Sequence, residues 1–413
     1  MLGYKFRKNC RLCSSREFKL ILDLGKQPPS NSFITKKELN RTERVFPLRL
    51  YLCKACHHLQ LLDVVDKEYL FSNYLYMTSA NQPIIEHFHE YVNLVYRKFL
   101  KNRREKVVIE IGSNDGTLLK KFLKYDVDVL GIEPAKNLAR ISRGSKIKTE
   151  NKFFNYNVAK KISNRKKADV IIANNILGHV DELNNFIKGI KILLKEDGVF
   201  VFEVPHALKL IKNLEFDTVY HEHLSYFFIA PLYKWLRKNQ LKIFDIQKQN
   251  VHGGTIRVFV SKSDAYKERK SVRDFIKEEK RNGINNKHTY DEFSNDIENL
   301  RYCLKKKIET LKAKNKIVFG YGAPAKGNVL LNYCKIDNKI LDFVTDTTTL
   351  KQGKFTPGTK IPIINPKNRP KNNSNMIAFL LAWNYKDAII KNEKNFAKNG
   401  GRFLIPIPKP VLI

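Results

Sequence analysis

Four consecutive residues, Tyr220-His221-Glu222-His223, give this 413-residue chain a dense group of side chains that can exchange protons. Phenol, imidazole and carboxyl groups commonly act as general acids and bases. A glycine-rich turn with the sequence EIGSNDG occurs earlier, at residues 110–116, where an apolar run ends. Glycines in such a turn expose backbone N–H groups and let a ligand approach closely. A proton-transfer group together with a ligand-binding turn predicts an enzyme.

The glycine-rich turn lacks the third glycine of the dinucleotide fingerprint, because Gly112 and Gly116 are spaced G-x-x-x-G. It is similar instead to the first motif of the class I S-adenosylmethionine (SAM) methyltransferases. Glu133 ends the next strand at about the 20-residue spacing expected of a carboxylate that binds ribose hydroxyls. The alternative is an α/β turn without a cofactor. The predicted cofactor-binding residues are Glu110, Gly112, Asn114, Asp115, Gly116, Glu133 and Asn174.

Two C-x-x-C pairs predict a zinc site formed by Cys10, Cys13, Cys53 and Cys56. Four thiolates leave no open position for water, so the predicted zinc is structural. The alternatives are a redox or disulfide role for these cysteines, or a histidine ligand from residues 57–58 in place of one cysteine.

Cys303 and Cys334 stand apart from the two pairs, and we expect both to be core residues.

The net charge of +35 raises the question of a nucleic-acid partner. Lysines are spread along the whole chain, which favours a general compositional bias, so no nucleic-acid partner is expected. The positive field also favours a doubly anionic nucleotide-sugar. The chain has no uncharged apolar run of about 18 residues and no hydrophobic signal region, so we expect a cytoplasmic protein without a membrane span.

Changes in composition and apolar periodicity along the sequence predict an α/β fold in four parts. Residues 1–65 form a small β-rich zinc-binding module, and residues 66–260 form the SAM-binding domain, with a helical lead-in at 83–100. In the second part, apolar strands alternate with helical segments, which predicts a parallel sheet covered on both faces. Residues 261–314 are expected to form a helical connector, and residues 315–413 a second Rossmann-like domain.

A second glycine-rich turn, GYGAPAKGN at residues 320–328, opens this last domain. It fits G-x-G-x-x-A, with Asp346 at a suitable distance, so a nicotinamide site is one interpretation. We favour the interpretation that the turn holds the phosphates of a nucleotide-linked substrate. The predicted substrate-binding residues are Gly320, Gly322, Lys326 and Asn328.

The order of these motifs, with YHEHLSYF and HGGT-x-R between the two glycine-rich turns, resembles the SAM-dependent sugar C-methyltransferases over essentially the entire chain. The resemblance implies a zinc-binding domain, a SAM-binding domain, a second Rossmann-like domain, and a nucleotide-linked 4-keto sugar held between the latter two. The oligomeric state stays open between monomer and homodimer. The catalytic residues that the resemblance implies are Tyr76, His179, Tyr220, Glu222 and His223. Tyr74 competes with Tyr76 for its place in this pattern.

The chemistry of such a reaction suits these residue types. A carbon next to a ketone loses a proton only if the enolate is stabilised, which requires a base and hydrogen-bond donors. We expect His223 to be the base, Tyr220 and His179 to act at the enolate, and Glu222 to orient a histidine or bind a sugar hydroxyl. His179 as the base is the alternative assignment.

Two other functions compete with C-methylation: O- or N-methylation of RNA or a small acceptor, and a non-enzymatic zinc-containing RNA-binding or scaffold protein. The second glycine-rich domain argues against the first of these, and the intact Tyr220/Glu222/His223 set argues against the second.

Overall fold

The structure is a computed structural model that describes residues 3–72, 74, 76–249, 254–262, 264–370 and 373–413. The predicted helical lead-in is a helix followed by one π-helical turn at Tyr96–Leu100, and HGGT-x-R begins at residues outside the described part. Among the residues that the structure describes, no helix has the length and apolar character needed to cross a bilayer.

The N-terminal module is built on antiparallel strands. Its elements are β1 (Tyr4–Phe6), β2 (Phe18–Gln27), β3 (Phe46–Cys53), β4 (Leu59–Leu61), β5 (Asp63–Val65) and α1 (Lys67–Phe71). Strands β2, β3 and β4 pair in that order, and β1 pairs with β5. In β3, buried Phe46, Leu48 and Leu50 alternate with half-buried residues, so one face of this sheet meets the core.

The central domain contains a seven-stranded sheet with helices on its faces. The strands of this sheet are β6 (Val107–Ile111), β7 (Asp128–Ile132), β8 (Thr149–Glu150), β9 (Ala168–Ile172), β10 (Leu194–Pro205), β12 (Lys242–Gln249) and β13 (Thr255–Ser261), and β11 (Ser225–Tyr226) belongs to the N-terminal sheet. Its helices are α2 (Gln82–Val95), α3 (Thr117–Phe122), α4 (Lys136–Gly144), α5 (Tyr156–Ser163), α6 (Leu183–Leu193), α7 (Ala207–Lys212) and α8 (Ile229–Lys238). The strand order is β12-β13-β10-β9-β6-β7-β8.

The expectation of a parallel sheet is wrong at one edge. Strand β13 runs antiparallel to both of its neighbours, β10 and β12. Only five residues separate β12 from β13, too few for the crossover that a parallel pair requires, so the two strands form a hairpin. The interior strand β6 is buried along its entire length, as a strand covered on both faces should be.

In its described residues, the C-terminal part consists of five helices and a six-stranded sheet. Its helices are α9 (Lys270–Arg281), α10 (Lys287–Ala313), α11 (Ala325–Cys334), α12 (Lys386–Asn392) and α13 (Lys394–Lys398). Its strands are β14 (Ile317–Tyr321), β15 (Val344–Thr345), β16 (Ile363–Ile364), β17 (Met376–Leu380), β18 (Arg402–Ile405) and β19 (Val411–Leu412). The order is β16-β15-β14-β17-β18-β19, and β19 alone of these runs antiparallel to its neighbour.

Helix α10, the long part of the predicted connector, buries one apolar stripe and exposes its other faces. Leu300 and Leu304 belong to the buried stripe, whereas Cys303 between them is exposed. The expectation that Cys303 is a core residue is therefore wrong, because helical geometry turns it away from the stripe. Cys334 is buried at the end of α11, as expected.

The N-terminal sheet reaches into the central domain. Strand β11 pairs with β4, so the complete order of this sheet is β11-β4-β3-β2. The Leu61 N–H also donates to the Leu224 carbonyl at 3.0 Å. The segment that follows Tyr220-His221-Glu222-His223 is therefore fixed to the cysteine-rich module.

Candidate active site

The four cysteine sulfurs converge in the N-terminal module. They lie within 4.8 Å of one another, with Cys10 Sγ to Cys56 Sγ at 3.6 Å and Cys13 Sγ to Cys53 Sγ at 3.5 Å. Zn–S bonds of about 2.3 Å in a tetrahedron separate two sulfurs by about 3.8 Å, so this arrangement fits a zinc ion. His58, an alternative ligand in the sequence, instead has its Nε2 3.2 Å from the Ser225 hydroxyl.

The first glycine-rich turn joins β6 to α3 and adopts a left-handed backbone at three positions. Gly112, Asn114 and Gly116 have φ values of 71°, 52° and 81°. A Cβ atom at Gly112 would also lie 2.1 Å from the Ile176 side chain. Glycine is therefore favoured at residue 112, where the chain turns at the carboxyl end of β6.

Buried polar side-chain atoms without hydrogen-bond partners lie next to this turn. The Oε2 atom of Glu110 and both polar side-chain atoms of Asn174 are buried and make no hydrogen bond within the described part of the chain. Burial raises the pKa of Glu110 well above its usual value, and the charges of Asp115 and Glu133 add to this effect. Buried polar groups are normally satisfied, so these residues fit a small ligand that carries an ammonium group and other polar atoms, as SAM does.

The remaining predicted cofactor-binding side chains make contacts within the protein. Glu133 accepts hydrogen bonds from the backbone N–H groups of Asn114 and Ala135, both at 2.8 Å. Asn114 Nδ2 donates to the Tyr76 carbonyl at 3.1 Å, and Asp115 Oδ2 accepts from the Ser79 N–H at 2.9 Å. Asn114 and Asp115 therefore hold residues 76–79 across the turn. Their contacts with a cofactor stay predictions.

His223 is held by hydrogen bonds at both ring nitrogens. Its Nδ1 lies 3.0 Å from the Thr218 carbonyl oxygen, which can only accept, so Nδ1 carries the proton. Its Nε2 then accepts a hydrogen bond from the Tyr220 hydroxyl at 2.7 Å. The ring of His179 lies 5.0 Å from that of His223 and stacks on Phe71. Burial lowers the pKa of His179 to about 4, which keeps this imidazole neutral at physiological pH.

Glu222 is buried between two donors from distant parts of the chain. Its Oε1 accepts from Asn31 Nδ2 at 2.7 Å, and its Oε2 accepts from the Tyr74 hydroxyl at 3.0 Å. Burial raises the pKa of Glu222 to about 7, although both hydrogen bonds act in the opposite direction. The structure thus brings Tyr74 to Glu222, whereas Tyr76 is 41% exposed. Sequence reasoning missed Asn31, for which no local pattern gave a signal.

Two cavities adjoin the residues Glu222, His179 and His223. A cleft of about 370 Å³, here named the N-terminal cleft, lies between residues 28–44, α1, Tyr74 and Glu222. A small cavity of about 20 Å³ lies between Asn175, His179 and His223. Tyr74 contacts Glu222 at the cleft, and Ser79 contacts Asp115 of the glycine-rich turn, so residues only five positions apart contact the cleft and the predicted cofactor site.

The second glycine-rich turn is tightly packed. The Ala323 N–H donates to Asp346 Oδ2 at 2.7 Å, and Asn328 Nδ2 donates to the Ser30 carbonyl at 2.7 Å. Lys326 Nζ lies 5.3 Å from the centre of the Trp383 ring.

The glycines of this turn follow from packing and backbone conformation. A Cβ atom at Gly320 would lie 2.8 Å from two buried side chains, and Gly322 has a φ of 82°. None of the four predicted substrate-binding residues is among the described residues that line the N-terminal cleft.

Known protein families match the three parts of the chain. Residues 10–71 match a zinc binding domain family, residues 85–246 match a methyltransferase domain family, and residues 250–408 match a C-methyltransferase C-terminal domain family. The zinc binding match covers all four converging cysteines.

Individual proteins are also similar to this chain. C-methyltransferase NovU of Streptomyces niveus is 34% identical over 406 residues, which cover 98% of this chain and 96% of NovU. The ubiquinone biosynthesis O-methyltransferase of Pelagibacter ubique is 27% identical over 156 residues, 37% of this chain and 62% of that protein. The structure of a SAM-dependent methyltransferase from Clostridium acetobutylicum has a TM-score of 0.34 and 16% identity, covering 42% of this chain and 91% of its own. The chain therefore belongs to the C-methyltransferase family, as a SAM-dependent enzyme with a structural zinc site.

Proposed function

We propose that this C-methyltransferase acts on a nucleotide-linked 4-keto sugar and methylates the carbon next to the ketone. The observation that carries the proposal is the hydrogen-bonded Tyr220–His223 pair, next in sequence to Glu222, which lines the N-terminal cleft together with Tyr74. Methylation of carbon at this position requires a base for the C–H proton and a donor for the developing oxyanion. The pair supplies both groups.

In this mechanism, His223 Nε2 takes the proton from the sugar carbon, and the electron pair of the broken C–H bond forms the enolate. The Tyr220 hydroxyl, which donates to Nε2 in the free enzyme, transfers its hydrogen bond to the ketone oxygen as negative charge develops there. The Thr218 carbonyl keeps the proton on Nδ1 and stabilises the imidazolium. When bound, SAM would supply the methyl group: the enolate carbon would form the new C–C bond as the S–CH₃ bond breaks, and the electron pair of that bond would leave on the sulfur of S-adenosylhomocysteine.

The environment of His179 supports His223 as the base. A histidine whose pKa burial lowers to about 4 is a weak base, and it serves better as a neutral hydrogen-bonding group at the enolate. Glu222, with a pKa of about 7, changes protonation near neutral pH and can hold a sugar hydroxyl as donor or acceptor. Burial thus shifts the pKa values of His179 and Glu222 in opposite directions and gives the two residues different roles.

Because deprotonation must precede or accompany methyl transfer, hydrogen exchange with solvent tests which residue is the base. In deuterated solvent, the wild-type enzyme should exchange the hydrogen next to the ketone, and His223→Asn should abolish both exchange and methyl transfer while SAM affinity stays unchanged. Tyr220→Phe should slow both steps by about 10²–10³-fold, the usual effect of removing one oxyanion donor. Exchange that persists in His223→Asn but disappears in His179→Asn would make His179 the base.

The acceptor class is tested by mass spectrometry of reactions that contain SAM and a panel of dTDP-, UDP- and GDP-linked 4-keto sugars. We expect a new C–CH₃ group next to the ketone of at least one sugar. Methyl transfer to oxygen or nitrogen of RNA or a small acceptor, with every keto sugar unchanged, would refute the proposal.

A further inference from the structure

A third buried polar group lies beside Glu110 and Asn174. The hydroxyl of Tyr91, a residue of α2, is buried and forms no hydrogen bond within the described part of the chain. Burial raises the pKa of this phenol well above its usual value, and the charge of Glu110 and the amide of Asn174 are close enough to act on it. Buried polar atoms normally have partners, so we expect a ligand to supply them for all three side chains.

The strand order indicates which part of SAM these three side chains face. Glu133, the predicted partner of the ribose hydroxyls, follows β7, which pairs with β6 on one side. Asn174 follows β9, which pairs with β6 on the opposite side. A SAM molecule whose ribose contacts Glu133 therefore extends its methionine part across the end of β6 toward Asn174. That part carries an ammonium and a carboxylate group, and a phenol hydroxyl can accept from the first or donate to the second.

The face of the Tyr91 ring packs against a buried arginine. The Arg257 Cζ atom lies 3.9 Å from the centre of the ring. Arg257 belongs to the HGGT-x-R motif, and its Nε and Nη2 atoms donate to Glu203 Oε1 at 2.8 and 2.7 Å. His87 Nε2 lies 3.0 Å from each Glu203 oxygen. A cation and an aromatic face attract each other most strongly where water is excluded, so this contact fixes the ring.

The position of Arg257 is set by the sheet and by Glu203. The two residues face each other in the register of the neighbouring strands β13 and β10. Burial opposes the charge of Glu203, but the His87 hydrogen bond and the Arg257 charge keep its pKa below the usual value, so the carboxylate is ionised. Taking such a pair out of water costs free energy that its mutual attraction often fails to recover, so stability is a weak explanation for it. A fixed position of the Tyr91 ring is a function that the pair can serve.

We propose that the Tyr91 hydroxyl binds the amino-acid end of SAM and that Arg257, held by Glu203 and His87, positions Tyr91 for this contact. Tyr91 is then a cofactor-binding residue, and Arg257 acts through it without touching the cofactor. The inference depends on the use of SAM by the family and on no property of the acceptor. Its outcome is therefore independent of the proposed nucleotide-linked sugar.

Calorimetry on the full-length, zinc-loaded protein tests the role of Tyr91 with two probes. S-adenosylhomocysteine carries the amino-acid end, whereas methylthioadenosine has only a methyl group in its place. Tyr91→Phe should weaken the binding of S-adenosylhomocysteine about tenfold, as expected for the loss of one hydrogen bond to a charged group, and leave that of methylthioadenosine unchanged. Tyr290→Phe is the matched control and should change neither affinity, because this buried hydroxyl donates to the Ile284 carbonyl at 2.6 Å.

Arg257→Lys tests the positioning role. Lysine keeps a positive charge for Glu203 but has no planar group to pack on the ring. Affinity for S-adenosylhomocysteine should fall, and affinity for methylthioadenosine should not. The double variant with Tyr91→Phe should bind S-adenosylhomocysteine no more weakly than Tyr91→Phe alone, because both changes act on one contact. His87→Leu, which removes one donor to Glu203, repeats the measurement if Arg257→Lys does not fold.

Thermal unfolding of every variant establishes that it is folded. An unchanged affinity of Tyr91→Phe for S-adenosylhomocysteine, or an equal loss of both probes, would show that Tyr91 does not bind the amino-acid end, and the proposal would be overturned. Additive losses in the double variant would show that Arg257 affects the cofactor by another route, which overturns its positioning role. Neither result alters the test of the acceptor.

Discussion

Glu222 is a carboxylic acid whose ionisation is opposed by the fold. It is 1% exposed, and burial raises its pKa from 4.5 to about 7. Between these two pH values the folded chain holds a proton at this site that the unfolded chain has released. The contribution to stability is therefore fully present below pH 4.5 and is lost as the pH rises through about 7.

Replacing Glu222 by Gln should make the protein relatively more stable as the pH rises. The amide cannot ionise, so the variant avoids a cost that reaches about 3 kcal/mol for a shift of this size. Urea unfolding at about pH 5 and about pH 8 measures the change in the free-energy difference between variant and wild type. Glu90→Gln, at an exposed position of α2, is the control and should show no such trend. An equal difference between Glu222→Gln and wild type at both pH values would contradict the buried acid.

The sequence predicts the residue types of the proposed catalytic group but not all of their contacts. Tyr74 and Tyr76 are two residues apart, and only the path of the chain places the Tyr74 hydroxyl on Glu222. Asn31 contacts the same carboxyl from 191 positions away. Such a contact follows from domain packing, which no local spacing records.

At the level of elements, the cysteine-rich module holds two segments that carry proposed catalytic residues. Arg11 lies between Cys10 and Cys13, and its guanidinium donates to the Leu61 carbonyl and to Asp181. Asp181 follows the turn that contains His179, and Leu61 belongs to β4, which pairs with β11 after His223. A zinc site that fixes the Cys10–Cys13 loop therefore acts on the positions of both histidines.

Removal of zinc should abolish most methyl transfer but leave SAM binding nearly unchanged. We expect about one zinc per chain, and we expect Cys53→Ser to lose the metal and most acceptor turnover. SAM affinity should change little, because the predicted cofactor turn joins β6 and α3 in a different sheet. Metal release can be followed with a chromogenic chelator and SAM binding by calorimetry. Cys303→Ser, at an exposed site on α10, is the control that should keep both zinc and activity. Full turnover by protein without zinc would refute this role of the module.

Periodicity predicted individual strands better than their pairing. The run at residues 107–111 is the strand Val107–Ile111. In the C-terminal sheet, β15 is limited to Val344–Thr345, because only these two residues pair with both neighbouring strands. The antiparallel direction of β13 was also missed, since apolar content indicates burial but does not specify the direction of a neighbour.

Across the whole molecule, the predicted parts share one core. A single buried apolar cluster includes Leu50 of the N-terminal module, Phe216 of the central domain, Ile297 of α10 and Phe319 of the C-terminal sheet. The boundaries predicted at residues 65, 260 and 314 pass through this cluster. The composition of the sequence changes at these positions, but side chains from all four parts pack together, so a disturbance in the C-terminal domain can reach the segment that carries Tyr220 and His223.

Trp383 of the C-terminal domain contacts the segment that precedes Tyr220 and His223. Its Nε1 donates to Asp217 Oδ2 at 2.6 Å, and Asp217 precedes Thr218, whose carbonyl holds His223 Nδ1. Burial raises the pKa of Asp217 to about 6, and the positive charge of Lys326 acts against that rise. A buried carboxyl group near neutral pH depends on its donors, so the indole N–H helps to fix the position of Thr218 and hence the tautomer of His223.

Trp383→Phe should keep the aromatic packing but remove this donor. Loss of one hydrogen bond to a buried carboxyl group should lower the free energy of unfolding by about 1–3 kcal/mol. Because the orientation of His223 depends on Thr218, kcat for methyl transfer should fall while SAM affinity stays unchanged. Trp235→Phe is the matched control: this buried indole donates to Asn184 Oδ1 at 2.8 Å, away from the catalytic segment, so the variant should lose stability but keep its kcat. Denaturant unfolding and steady-state kinetics on both variants separate the two effects, and an equal kcat in both would show that the C-terminal domain does not position His223 through Trp383.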